Sequence, residues 1–434
     1  MIKKLLMVFI VLISIQFYAQ EGTASPYSYY GIGSLKFKGT VENRSMGGLS
    51  VYSDSIHINL RNPASYGGYN LNMYNQDSRP VTFSVGGSHT STNLESDNAE
   101  GKVSTTTFDY VALSIPLKRL GIGFGLVPYS SVGYKLENYN EDGDLLNRYN
   151  GKGGVNKVYF SAGYQLTKSF SLGVDGHYNF GNTTNSNIAL QYTNGEIVQY
   201  QTKRTNRSDL SGFSLNFGAL FKTNITEKLQ LISSLTYAPE SKLKSRNQQS
   251  LSTLTINSIT GAENIINTID TDLAAQGLDE TELIIPSKIS IGAGLGESKK
   301  WFAGVEYTSI KTSNFYNELY DSDGRDYQDG SIFSVGGFYI PEYNSFTSYW
   351  KRIVYRAGMH FENTGLNIND QTINDFGISF GLGLPLGNGI SNANIGFEYG
   401  KKGTTQNNLV KENYFNLMIS LSLNDRWFNQ RKYD

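Results

Sequence analysis

Large apolar residues and small polar residues alternate one by one in several stretches of this chain. In residues 213–222 the odd positions carry Phe, Leu, Phe, Ala and Phe, whereas the even positions are mostly Ser, Asn and Gly. The same period of two recurs in 170–180, 376–384 and 414–423. Because successive side chains of a β-strand point to opposite faces, this period predicts strands with one apolar face and one polar face.

The polar faces of these stretches distinguish a membrane barrel from a soluble β-protein. Water-facing strands are usually rich in Lys, Glu, Arg and Thr. Here the polar positions are mostly Gly, Ser and Asn, with isolated charges such as Asp175 and Glu398. Small polar residues suit the lumen of a closed barrel, and large apolar residues suit lipid. The pattern therefore favours a transmembrane antiparallel β-barrel, with a soluble β-protein as the alternative.

The number of such stretches and the gaps between them support the barrel. We expect fourteen strands, near residues 81–90, 108–115, 120–129, 156–166, 170–181, 212–222, 229–239, 286–295, 301–309, 331–340, 352–362, 375–385, 393–400 and 413–423. Gaps after the second, fourth, sixth, eighth and twelfth strands are short, and the others are mostly longer, up to 240–285. Outer-membrane barrels combine even strand numbers, short periplasmic turns and longer external loops. The prediction is an all-β barrel over residues 81–423 and a periplasmic tail at 424–434.

Two of the expected external loops show order of their own. Asn194 and Gly195 lie between alternating flanks and predict a β-hairpin. In the long loop, helical spacing ahead of Gly277 predicts a helix on the barrel rim or a lid helix, through Ile265, Ile266, Ile269 and Leu273. The segment 363–375 is polar and predicts no regular structure.

Composition and the N-terminus place the chain in the cell envelope. Residues 1–19 contain two lysines, an apolar run and a final Ala, a pattern typical of a secretory signal peptide; a retained anchor is the alternative. The absence of Cys removes disulfides, thiolate catalysis and cysteine metal sites. A formal net charge of −1 gives no reason to expect a nucleic-acid partner. We therefore expect an integral outer-membrane protein in contact with outer-membrane lipid.

Residues 20–80 precede the first strand and contain two candidate bends. Proline fixes φ and restricts the residue before it, so Asn62, Pro63 and Ala64 predict a rigid irregular turn. Gly47 and Gly48 predict the second bend. A barrel of fourteen strands encloses a wide lumen, and a compact segment with fixed bends can fill it. We predict that residues 20–80 form a hatch inside the barrel.

Several short motifs resemble the FadL-type outer-membrane transport family, whose best-known members take up long-chain fatty acids and aromatic hydrocarbons. In order along the chain they are "NPA" at 62–64, "FGLVPYSSVGY" at 124–134, "LTYAPESKLKS" at 235–245 and "IIPSKISIGAGL" at 284–295. The segments 25–33 and 398–428 resemble a divergent branch of this family found in bacteria with type 9 protein secretion.

This resemblance implies a hatch-gated barrel that binds or passes hydrophobic small molecules, with lateral exit into the bilayer. Ligand-pocket residues of the family do not match this chain one by one. The alternative function is a non-transporting accessory or plugging subunit that binds a large translocon protein of type 9 secretion. The candidate residues are Asn62, Pro63, Ala64, Gly47 and Gly48 for gating, and Asp175, His177, Asn216 and Glu398 for lining the lumen.

Catalytic and metal-binding patterns are weak in this sequence, so we expect neither an enzyme nor a cofactor. The four histidines are far apart and lack metal-ligand spacing: His57, His89, His177 and His360. The acidic segment 320–330 lacks the spacing of an EF-hand, which favours an Asp-Gly turn over a calcium site. Lys242, Lys244 and Arg246 form a basic group that suits either anionic lipid head groups or solvent.

Overall fold

Fourteen antiparallel strands form the body of the protein. The structure, a computed structural model, describes residues 22–37, 39–68, 79–97, 99–140, 142–193, 195–257, 260–318, 325–387 and 391–425. The barrel strands are β1 Val81–Glu95, β2 Glu100–Leu117, β3 Leu120–Tyr139, β4 Leu145–Gln165, β5 Phe170–Ala189, β6 Gln201–Asn224, β7 Leu229–Ala238, β8 Lys288–Glu297, β9 Trp301–Ile310, β10 Gly330–Tyr339, β11 Val354–Ile368, β12 Gln371–Leu386, β13 Ser391–Lys402 and β14 Lys411–Asp425. The expected signal peptide, the tail beyond 425 and residues 320–324 of the acidic 320–330 segment lie outside the described residues.

The barrel closes where its first and last strands meet. β14 pairs with β1 from Val81 opposite Asp425 to Glu95 opposite Lys411. Every other barrel strand pairs with its neighbours in chain order. Short turns lie at one end, which is the periplasmic end by the rule for outer-membrane barrels. The expected fourteen-stranded all-β barrel is confirmed.

The two faces of the wall follow the alternation in the sequence. Phe213 and Phe217 on β6 are 76% and 44% exposed, whereas Asn216 between them is 6% exposed. Outward Phe, Leu, Ile and Val side chains recur around the wall, which is the surface that a bilayer requires. The protein is therefore an integral outer-membrane β-barrel. The described residues contain no helix with the length and apolarity needed to cross a membrane.

Many strands extend beyond the membrane further than the sequence indicated. The expectation that 363–375 lacks regular structure is wrong: β11 and β12 continue to Ile368 and from Gln371. Asn369 and Asp370 join them with positive φ angles of 50° and 60°. Such left-handed residues suit a two-residue hairpin turn, and Asn and Asp tolerate them best. Leu366, Ile368 and Ile373 form the apolar face of this strand pair and pack with Tyr27 and Leu409. Three apolar residues among polar neighbours are too few to show a strand period in the sequence.

The long loop between β7 and β8 forms a sheet above the barrel, which we call the external extension (residues 241–285). Its strands are Ser241–Ile256, Glu263–Asp270 and Glu280–Ile285, and the first of them pairs with the upper part of β6. The expected helix at 265–273 is wrong, because β-branched isoleucines favour a strand where a neighbouring strand is available. Gly277 does end a short 3-10 turn, with φ of 68°.

Other features outside the bilayer agree better with the sequence. Tyr192–Thr193 pairs with Glu196–Ile197, so the expected hairpin is present, although residue 194 itself lies outside the described residues. The basic side chains Lys242, Lys244 and Arg246 all pair with Glu280 or Glu282. These exposed ion pairs neutralise the basic group on the outer surface.

The N-terminal segment lies inside the lumen. It contains a 3-10 turn Pro26–Tyr29, a short strand Ser34–Leu35, an α-helix Val41–Arg44 and a 3-10 turn Pro63–Tyr66. Thr40 begins the helix in a capping box with Asn43. Leu49 and Val51 are fully buried against inward residues of the wall such as Ile232 and Phe302. We refer to the described residues 22–68 as the hatch.

Candidate functional site

Two buried ion pairs join the hatch to different parts of the wall. Arg44 Nη2 lies 2.7 Å from Glu398 Oε2 on β13. Arg61 Nη2 lies 2.6 Å from Glu306 Oε1 on β9. Both glutamate side chains are almost completely buried. A buried carboxylate needs a charge partner and further hydrogen bonds, so these pairs fix the position of the hatch.

Each of these carboxylates receives further donors. Ser50 donates to Glu306 Oε2 from its backbone N–H at 2.8 Å and from its hydroxyl at 2.7 Å. Asn416 Nδ2 donates to Glu398 Oε2 at 2.6 Å. The guanidinium groups of Arg44 and Arg61 also lie 5.8 and 5.9 Å from the Phe37 ring. The two anchors therefore meet at one aromatic ring of the hatch.

The Asn62–Ala64 bend lies at the periplasmic end of the lumen. Asn62 Oδ1 accepts from the Ala64 N–H at 3.0 Å, and its Nδ2 donates to the Ala219 carbonyl at 3.1 Å. Pro63 is the first residue of the 3-10 turn, where its missing N–H is not needed. Gly173 on β5 lets this bend approach the wall, since an added Cβ would lie 2.3 Å from the Pro63 carbonyl carbon.

Gly47 and Gly48 contact a different part of the wall from Asn62–Ala64. Both have left-handed φ angles, 68° and 85°. The Gly47 N–H donates to Ser379 Oγ on β12 at 2.9 Å, and a Cβ on Gly47 would lie 2.4 Å from the Met359 carbonyl oxygen. The five predicted hatch residues are thus all in the lumen, in two separate contacts. Their role in gating stays a prediction.

The predicted lumen-lining residues are all buried inside the barrel, and three of them form one cluster. Asn216 Nδ2 donates to Asp175 Oδ2 at 2.8 Å and to the Arg61 carbonyl at 3.2 Å. His177 Nε2 lies 3.8 Å from Asp175 Oδ2. The fourth, Glu398, belongs to the Arg44 anchor instead. The described residues contain no group of three metal-ligating side chains.

A titratable pair lies within the hatch itself. His57 Nδ1 is 2.7 Å from Asp54 Oδ2, and His57 Nε2 is 3.7 Å from Glu42 Oε1. Burial opposes the charged forms of both groups, but their mutual attraction is stronger. It raises the pKa of His57 above its ordinary value and lowers the pKa of Asp54 to about 2.

The wall is interrupted between β2 and β3. Their pairing runs from Leu117 opposite Leu120 only as far as Val111 opposite Leu126. Beyond this point β3 has a bulge at Pro128–Ser130 and pairs with β4 on one side. On its other side the hatch takes the place of β2: Ser34 pairs with Ser131, and Leu35 with Ser130.

A cavity of about 490 Å³ opens at this interruption. Residues from both strands that flank the gap line it, including Val103 and Tyr110 of β2 and Val127 of β3. Leu35 of the hatch also lines it and is 56% exposed. Many ionisable side chains line the same cavity, among them Lys36, Arg44, Asp109, Lys402 and Glu412. It therefore offers apolar contacts at the gap together with charged groups.

Comparison with known proteins assigns the family. A family model described as BamG matches residues 1–434. The chain belongs to the BamG family. No curated protein matches it.

Solved structures show that this BamG-family chain has the fold of FadL-type channels. A Pseudomonas aeruginosa FadL homologue is 12% identical, with a TM-score of 0.58 over 91% of this chain and 99% of that one. The Ralstonia pickettii toluene transporter TbuX is 14% identical, with a TM-score of 0.55 over 90% and 99%. The CymD monoaromatic hydrocarbon channel is 14% identical, with a TM-score of 0.55 over 90% and 98%. The FadL-type resemblance is confirmed for the fold.

The sequence did not indicate which basic residues pair with the buried glutamates of the lumen. Arg44 and Arg61 lie inside the expected hatch, but nothing local indicates that each contacts a glutamate on a distant strand. Glu306 had the clearer sign, because it is a lone acidic residue in the otherwise uncharged β9. A carboxylate on the small-residue face of a barrel strand points into the lumen and requires a partner there.

Proposed function

We propose that this protein binds hydrophobic small molecules in its lumen and passes them between the cavity and the bilayer through the gap between β2 and β3. The observation that carries the proposal is the end of the β2–β3 pairing at Val111 and Leu126, beside the cavity. Backbone groups at membrane depth must be satisfied inside the protein. An interrupted ladder is therefore costly unless it serves a route through the wall.

The hatch is the proposed gate. Its strand Ser34–Leu35 covers the edge of β3 at Ser131 and Ser130, beyond the point where β2 leaves β3, and Lys36 N–H donates to the Tyr129 carbonyl at 2.9 Å. Withdrawal of this strand would widen the gap and uncover the cavity. In this proposal residues 20–80 act as the gate, and the barrel acts as a passive wall without catalytic chemistry.

The solved relatives support a hydrophobic cargo by analogy. CymD is described as a monoaromatic hydrocarbon channel and TbuX as a toluene transporter. The alternative, a plugging subunit of a type 9 translocon, predicts a filled lumen. The cavity of about 490 Å³ supports passage instead.

A reversible cross-link tests the gate. The chain contains no Cys, so Ser34→Cys with Ser131→Cys introduces a single thiol pair at directly paired positions, whose separation suits a disulfide. We expect oxidation to abolish the barrel-dependent uptake of radiolabelled toluene by intact cells, measured as the difference from cells that lack the barrel, and dithiothreitol to restore it. The matched control is Ala293→Cys with Val305→Cys, two directly paired wall positions whose side chains face outward, away from the lumen. Equal uptake by the oxidised and reduced gate variant refutes the proposal.

A further inference from the structure

The outermost strand of the external extension has an uncovered edge. Glu263–Asp270 pairs with Ser241–Ile256 on one side, and no described residue pairs with its other side. All eight of its residues are exposed. A strand edge presents a row of unpaired N–H and C=O groups and is a ready template for another strand. Natural proteins usually protect such edges with Lys, Pro or a bulge. This strand has no Lys or Pro, and its one bulge leaves Ile266 as an extra residue between Ile265 and Asn267.

The side chains of this strand are unusually apolar for a surface outside the membrane. Ile265, Ile266 and Ile269 are 55%, 53% and 65% exposed. Leu251, which lies opposite Ile269 on the neighbouring strand, is exposed as well. The strand lies beyond the bilayer, because a transmembrane strand needs only about 9–11 residues and the extension pairs with Gln201–Ser211, the upper part of the 24-residue β6. Lipid therefore does not cover these residues, which makes a protein contact the better explanation.

The extension is also held firmly in place. Ile188, Leu190 and Leu254 form a buried cluster at the end of Ser241–Ile256 that lies away from the barrel, with Tyr192 and Ile256 packed against it. A bulge after Thr253 sets the register of the outer strand. A preorganised edge loses little conformational entropy when a partner binds.

Charge indicates which kind of partner fits. Residues 257–287 contain six acidic side chains and no Lys, Arg or His: Glu263, Asp270, Asp272, Asp279, Glu280 and Glu282. Glu263, Glu280 and Glu282 pair with basic residues of the neighbouring strands. Asp270, Asp272 and Asp279 are exposed and form no ion pair with a described residue. The open edge therefore carries net negative charge.

The same charges argue against a second copy of this chain. Antiparallel pairing of Glu263–Asp270 with itself would place Glu263 of one copy opposite Asp270 of the other at both ends. Like charges directly opposite each other destabilise a strand pair. We propose that the edge of Glu263–Asp270 binds an extended polypeptide strand of another protein, with alternating apolar residues and Lys or Arg at its ends, by β-augmentation.

The backbone hydrogen bonds identify a position at which to test this. Thr271 N–H donates to the Gln249 carbonyl at 2.9 Å, so Thr271 faces the neighbouring strand. Along an antiparallel strand, successive backbone N–H groups point alternately to one side and to the other. The N–H groups of Thr268 and Asp270 therefore point to the open edge. Proline is tolerated on edge strands where its missing N–H faces solvent. Thr268→Pro therefore removes one outward donor and leaves the internal ladder intact, whereas Thr268→Val keeps the donor.

The experiment uses the full barrel in detergent and a fluorescein-labelled octapeptide of alternating Val and Thr with Lys at both ends. We expect the peptide to bind saturably, as measured by fluorescence anisotropy. A peptide in which Glu replaces both Lys residues should bind with an affinity at least about tenfold lower. Thr268→Pro and Asp270→Lys should each lower the affinity by about tenfold, and Thr268→Val should keep it. Light scattering on the same samples reports self-association.

Three outcomes overturn the inference. One is failure of the lysine-ended peptide to bind, and another is equal binding by the wild-type chain and Thr268→Pro with the extension still folded. The third is a dimer that Thr268→Pro dissociates, which would make the occupant a second copy. Resistance of the extension to a nonspecific protease verifies the fold of each variant.

Discussion

The ion pair between Arg61 and Glu306 gives the most direct test of how the hatch is held. Glu306→Gln keeps the shape of the side chain but removes its charge, which leaves the Arg61 guanidinium in the lumen without its carboxylate. Removing one partner of a buried pair costs about 3–5 kcal/mol. We expect the lower end, about 3 kcal/mol, because Arg61 is 11% exposed and also donates to the Gly48 carbonyl. This energy corresponds to a shift of roughly a hundredfold in the docking equilibrium of the hatch.

Limited trypsin digestion measures this shift, because the hatch carries its own cleavage sites at Lys36, Arg44 and Arg61. Cleavage of a transiently open segment follows the open population when closing is fast. We expect hatch cleavage to rise by roughly a hundredfold in Glu306→Gln while the barrel keeps its heat-resistant mobility on a gel. The matched control is Glu282→Gln, which breaks an exposed pair with Lys242 and should change nothing.

A paired apolar replacement separates loss of charge balance from loss of contact. Arg61→Met combined with Glu306→Met leaves no unpaired buried charge, and such replacements are often close to neutral. Hatch cleavage in this double variant should fall back towards the wild-type rate. Unchanged cleavage in Glu306→Gln with an intact barrel would refute the anchoring role, as would a double variant more open than the single one.

Two further predictions concern the same segment. Gly173→Ala should displace the Pro63 bend and cost about 1–3 kcal/mol of hatch docking, because the added Cβ would lie 2.3 Å from the Pro63 carbonyl carbon; Gly176→Ala on the same strand meets no atom within 4 Å and is the control. Trypsin cleavage of the hatch, measured in both variants, checks this prediction, and equal cleavage of the two variants contradicts it. The raised pKa of His57 stabilises the hatch below the ordinary histidine pKa, and this stabilisation is lost as pH rises through the raised pKa. Hatch cleavage by a protease with a flat pH profile should therefore rise on the alkaline side, and His57→Gln should remove that rise; a pH dependence that survives His57→Gln contradicts the assignment.

The barrel wall was predictable because lipid and lumen impose opposite requirements on alternate residues. Phe213 and Asn216 satisfy those requirements, and their exposures follow directly from the sequence pattern. Outside the bilayer that constraint disappears. Ile265, Ile266 and Ile269 fit a helical spacing as well as a strand, and only the neighbouring strand Ser241–Ile256 decides between them.

The candidate site was predictable in its parts and not in its arrangement. The fixed bend at Asn62–Ala64 follows from the chemistry of proline, and burial of Glu398 follows from its strand position. The Arg44–Glu398 contact joins residues 354 positions apart, and no local pattern encodes it. The gap between β2 and β3 likewise depends on where two strands diverge, a property of the closed barrel rather than of either strand.

The anchors of the hatch also impose an order on how the protein is built. The hatch is the first described part of the chain, yet its charged partners Glu306 and Glu398 belong to β9 and β13. Translation therefore produces the hatch long before the strands that hold it. It must remain unattached until most of the chain is present, and the wall around it is complete only when β14 pairs with β1. Barrel closure then traps the segment that the last strands were needed to secure.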